Sequence, residues 1–130
     1  MRVRTPLVLS LCLLACGGCG KKKTTDELIA DLKGSEERER LIAARLLTQR
    51  KGEAEKVVPA LTEALKGKDR DVRWSAAIGL GYFGEQARDA IPALQEAQRD
   101  RDPRVREAAG VALSRIDPAR FPTPSKKKTR

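Results

Sequence analysis

This 130-residue sequence predicts an all-α fold, a right-handed α-solenoid of three stacked helix pairs with about six helices. Three observations predict it. The chain repeats itself at a spacing of 33 residues without gaps. Apolar residues inside each repeat fall at helical spacing, and proline, glycine and aspartate recur where helices should start and stop. Residues 58–84 set against 91–117 give ten identities in 27 positions, and 25–51 against 58–84 give eight. The units are therefore 25–57, 58–90 and 91–117.

The chain begins with a different kind of segment. Arg2 and Arg4 precede an apolar run from Leu7 to Ala15. As a helix that run would rise about 13–14 Å, well short of a ~30 Å hydrocarbon core, so residues 1–15 read as a signal peptide and not a span. The run ends Leu13-Leu14-Ala15-Cys16, which resembles the lipobox of bacterial lipoproteins, although Leu14 stands where a small residue is usual. The resemblance implies that Cys16 is diacylated and becomes the new N-terminus. It also implies that the protein is held in the bacterial cell envelope, on the periplasmic or extracytoplasmic side. Two readings compete: an ordinary cleaved signal, and a redox or zinc role for the C-x-x-C pair Cys16 and Cys19. The pair closes an apolar signal run, and no histidine is present to complete a zinc shell. From Lys21 onward there is no cysteine, so disulfides do not hold the fold.

Residues 16–24 form a short basic tether, and the repeats follow. In the second unit, Val57, Val58, Leu61 and Leu65 share a stripe that predicts a first helix from about Ala54 to Leu65. Gly67 suits its stop, and Asp69 is the expected N-cap of the next helix. That second helix buries Val72, Ala76, Gly79, Leu80 and Phe83; Ala109, Gly110 and Ala112 do similar work in the third unit. Asp102-Pro103 repeats the capping logic with proline at the first helical position. Pro59 and Pro92 should kink the first helices or begin their regular parts. Residues 118–130, with three prolines and Lys126-Lys127-Lys128, are expected to be a disordered basic tail.

The run from Asp69 to Gly84 (DRDVRWSAAIGLGYFG), followed by Ala90-Ile91-Pro92-Ala93-Leu94, resembles the HEAT repeat. It is similar in particular to the short HEAT-like repeats of phycobilisome lyases. The first unit departs from the pattern, with Glu39 at the buried-valine position and Arg50 at the Phe83 position, as a polar capping unit should. The resemblance implies stacked helix pairs that stabilise one another, and it leaves the activity open.

Composition narrows the function. The net charge of +9 sits at the two ends, because residues 26–117 hold all 18 acids and 17 of the 27 basic residues. A basic nucleic-acid-binding face is therefore not expected. Without histidine, imidazole catalysis and the His-Glu iron sites of some HEAT-like hydroxylases are excluded. No catalytic constellation is found, and no metal or other cofactor is expected. The recurring Arg40, Arg73 and Arg106 suggest scaffold ion pairs, with Glu36, Asp69 and Asp102 as period-matched partners.

One row escapes the repeat. Trp74, Ile78 and Tyr82 lie at i, i+4 and i+8, roughly 140° from the buried face of their helix. Such a row is enriched in the residue types that anchor interfaces, so these three are the candidate partner-binding residues. The competing reading folds them against the tail, with Phe121 as cover. The expected function is a membrane-anchored, non-enzymatic scaffold that binds a protein partner through that row. The alternative is an accessory subunit of a lyase-related enzyme system.

Overall fold

Leu28, Leu61 and Leu94 form one ladder at the 33-residue period, and Leu47, Leu80 and Leu113 form a second. All six are at most 1% exposed. Each buried leucine contributes roughly 1.5–3 kcal/mol through the apolar surface it removes from water. Two such ladders on successive helices can close only by stacking unit on unit, and the computed structural model, which describes residues 21–123, shows that stack. Six α-helices are present among the described residues: α1 (Thr25–Leu32), α2 (Glu37–Leu47), α3 (Ala54–Ala64), α4 (Arg70–Phe83), α5 (Ile91–Ala97) and α6 (Pro103–Ile116). Helices α1, α3 and α5 make one layer. Helices α2, α4 and α6 make the other, with α4 packed between its two neighbours.

Local chemistry explains the boundaries. Thr24 and Glu27 make a reciprocal capping box that starts α1. Asp102 caps α6 by accepting from the Arg104 amide, with Pro103 beginning the helix. Pro92 stands in the first turn of α5, after a 3₁₀ stretch from Gly84 to Ala90. That stretch was not legible in the sequence. Pro59 lies inside α3. Helix α4 stops at Gly84, whose φ of 55° and ψ of −131° fall where a side chain would be strained.

The first unit is polar where expected. Glu39 is exposed, and the Arg50 guanidinium donates to the Lys23 carbonyl. Its outer helix face also leaves Ile42 and Leu46 partly open, at 46% and 38% exposure. The signal segment, Cys16 and residues 124–130 lie outside the described residues. No described helix is long and apolar enough to cross a membrane.

The arginines form a structural ladder. Arg40 Nη1 donates to the carbonyls of Gly34 and Ser35; Arg73 Nη1 donates to those of Gly67 and Lys68; Arg106 Nη1 donates to those of Asp100 and Arg101. Each guanidinium thus ties down the turn inside its own unit. The same side chains reach forward: Arg40 Nε bonds Asp69 at 2.6 Å and Arg73 Nε bonds Asp100 at 2.8 Å. Two expectations need correcting here. Asp69 occupies the N-cap position of α4, but its side chain makes no cap bond because Arg40 holds its carboxylate. Asp102 is not the partner of Arg73, because its carboxylate is committed to capping α6 and Asp100 takes the arginine instead.

Candidate partner-binding surface

Helices α4 and α6 approach closely because small residues meet between them. A Cβ on Gly81 would stand 3.1 Å from Ala112 Cα, tighter than ordinary contact. The helices also run parallel. Trp74 lies beside Arg104 near their N-terminal ends, and Tyr82 lies beside Arg115 near their C-terminal ends. Gly81 and Ala112 also line an open groove of about 430 Å³ between the two helices.

Trp74, Ile78 and Tyr82 form the α4 wall of this groove, and Glu107, Val111 and Arg115 form the α6 wall. The second row is the first row's counterpart one repeat later. Trp74 and Ile78 are half-buried and pack against the core, whereas Tyr82 is 54% exposed and Val111 44%. The geometry differs from a row standing free in solvent. The α6 wall rises opposite and shields the inner two side chains, a depth that angular periodicity along one helix cannot supply. Phe121 packs against the core and does not line the groove.

The charges are placed unequally. The Arg104 guanidinium carbon sits 6.0 Å from the Trp74 ring centroid, and its Nη2 bonds Asp71 at 2.8 Å. The Arg115 guanidinium carbon sits 5.3 Å from the Tyr82 centroid. Both distances suit cation–π attraction. The sequence places Trp74, Ile78 and Tyr82 on one face and relates Glu107, Val111 and Arg115 to them by the repeat, but it does not bring the two rows together as one surface. The 33-residue offset relates Val111 to Ile78, and stacking of adjacent units is what sets the two rows face to face.

A second depression, of about 840 Å³, lies over α3 and the 3₁₀ stretch. Pro59, Glu55, Glu63 and Asp89 are among its lining, and it offers no aromatic side chain. Among the described residues no group of three or more Asp, Glu, Cys or His side chains could hold a metal ion. Among the same residues, every buried side-chain nitrogen and oxygen has a hydrogen-bond partner.

Paired helices stacked at a fixed period around continuous leucine ladders define a helical-repeat solenoid. Residues 58–124, just over half of the chain, match the family model described as HEAT repeats. The chain belongs to the HEAT repeat family. Among solved structures it is similar to the complex of CpcE and CpcF of phycocyanin lyase from Nostoc sp. PCC7120, at 30% identity and a TM-score of 0.67. That match covers 75% of this chain and 39% of the other, so this chain spans about two fifths of its neighbour's length. No curated protein matches the sequence.

Proposed function

We propose that this protein is a non-enzymatic HEAT-repeat scaffold that binds another protein and is anchored in the bacterial cell envelope through acylated Cys16. One observation carries the binding role: the Trp74–Ile78–Tyr82 wall faces an open groove while the rest of the large apolar side chains of α4 are buried. Aromatic side chains at the centre of a concave apolar surface are the usual anchors of protein interfaces. The similarity to a two-protein lyase complex supports a protein partner. Capture from the solubilised envelope by full-length wild type and by Trp74→Ala tests the reading. A partner retained by the wild type and lost by the variant is expected; equal capture by both would count against it.

The anchor rests on the sequence around Cys16. Acyl chains contribute roughly 0.8 kcal/mol per buried CH₂, and two chains suffice for stable attachment. The basic tail can add attraction to anionic headgroups. Cys16→Ser should move the protein from the membrane to the soluble fraction, and a variant that stays membrane-bound would overturn the anchor.

A second reading has one observation in its favour. Similarity to a phycocyanin lyase complex suits an accessory subunit of a lyase-related system. Reconstitution with candidate lyase partners and a bilin acceptor separates the two: transfer that depends on this chain would favour the accessory subunit.

A further inference from the structure

The two walls of the α4/α6 groove differ in charge along its length, and that difference selects the direction of what can lie there. On the α6 wall Glu107, Val111 and Arg115 stand at i, i+4 and i+8, so the row reads negative, apolar, positive. Glu107 and Arg115 are exposed, and neither forms an ion pair among the described residues. Arg104 adds little net charge at the Trp74 end, because Asp71 holds it at 2.8 Å and Asp102 lies 3.6 Å away. The groove therefore has a negative end at Glu107, an apolar middle, and a positive end at Arg115 stacked on Tyr82.

The backbone dipoles run opposite to these side-chain charges, and they bear on the occupant's own helix dipole rather than on its side chains. Parallel α4 and α6 bring two helix C-termini, each partially negative, to the Tyr82 end, and two partially positive N-termini to the opposite end. An incoming helix is best placed antiparallel to both, with its own N-terminus over the Tyr82 end. Helices favour acidic residues in the first turn and basic residues in the last. A helix in this orientation thus brings its acids to Arg115 and its bases to Glu107. The apolar floor suits side chains at i, i+4 and i+7 or i+8, the spacing by which amphipathic helices occupy such grooves.

Resting on the reading of the groove as the protein-binding surface, we propose that its occupant is an amphipathic helix lying antiparallel to α4 and α6. Its acidic N-terminal turn meets Arg115, its basic C-terminal turn meets Glu107, and its apolar stripe covers Ile78, Tyr82 and Val111. From Trp74 to Tyr82 the wall spans nine residues, a rise of about 12 Å along the helix, so two to three turns of the partner fill it.

Two fluorescent peptides of about 15 residues test this on the full-length protein. Both carry the same apolar stripe, one with acidic N-terminal and basic C-terminal turns, the other with those charges exchanged. The first should bind about tenfold or more tightly than the second, and the preference should shrink as salt rises. The double variant Glu107→Arg/Arg115→Glu keeps the net charge and changes only exposed side chains, so it should fold and should invert the preference. Equal binding of both peptides, abolished for both by Tyr82→Ala, would overturn the antiparallel assignment and leave the groove as a docking surface. Binding of neither peptide, or binding indifferent to Tyr82→Ala, would overturn the docking surface together with the orientation.

Discussion

Arg73 carries two structural duties on one planar group. Its fork closes the turn between α3 and α4 and holds Asp100 of the following unit, with the arginine side chain 5% exposed and the carboxylate 10%. Removing one partner of such a pair strands the other, a loss of about 3–5 kcal/mol. Arg73→Met should therefore lower the thermal midpoint sharply. Arg73→Lys should recover little, because an ammonium cannot reproduce the fork. Burial pushes the Asp100 carboxyl up. The Arg73 hydrogen bond, the Asp102 amide and the charges of Arg73 and Arg101 together outweigh this and hold it below its ordinary value of 3.8. A lowered acid stabilises the fold fully above its ordinary value and loses that contribution as pH falls through the lowered one. The acid limb of stability, below about pH 4, should thus flatten in Asp100→Asn when melting is followed from pH 5 to 2. The 33-residue period made the arginine–carboxylate ladder legible in kind. It could not name Asp100, which stands where the earlier units have Gly34 and Gly67 and so belongs to no repeat.

At the scale of elements, the pairing of α4 with α6 decides whether the groove exists. Gly81 permits it, with Ala112 Cα so near that any Cβ is crowded by backbone. Gly81→Leu should push the helices apart at a cost of about 1–3 kcal/mol, visible as a lower midpoint, and should weaken partner capture as the groove fills. Helix existence was readable from apolar spacing. The predicted first helix of the second unit, from about Ala54 to Leu65, is observed as Ala54–Ala64. The 3₁₀ stretch before α5 was not readable, since Gly84-Glu85-Gln86 carries no periodic apolar signal and its geometry is set by packing against α3, α4 and α6. Groove depth was illegible for the same reason. One helix's angular pattern places Trp74 and Ile78 off the core face, and only the neighbouring helix half-covers them.

For the whole molecule, three units share one continuous core, and a solenoid this short should unfold as a unit. Leu80→Ala, at the centre of its ladder, should cost about 2–5 kcal/mol and lower a single transition rather than split it, as calorimetry would show. The groove lies across the last two units, so the array's integrity and the proposed binding surface are linked, whereas Tyr82 itself, 54% exposed, contributes little to the core. Oxidative footprinting of Trp74 and Tyr82, in the purified full-length protein and in native envelope membranes, tests the central claim most directly. A scaffold that holds a partner in the α4/α6 groove predicts several-fold protection of both side chains in the membranes, with Phe121 unchanged. Equal oxidation of Trp74 and Tyr82 in the two settings would contradict it.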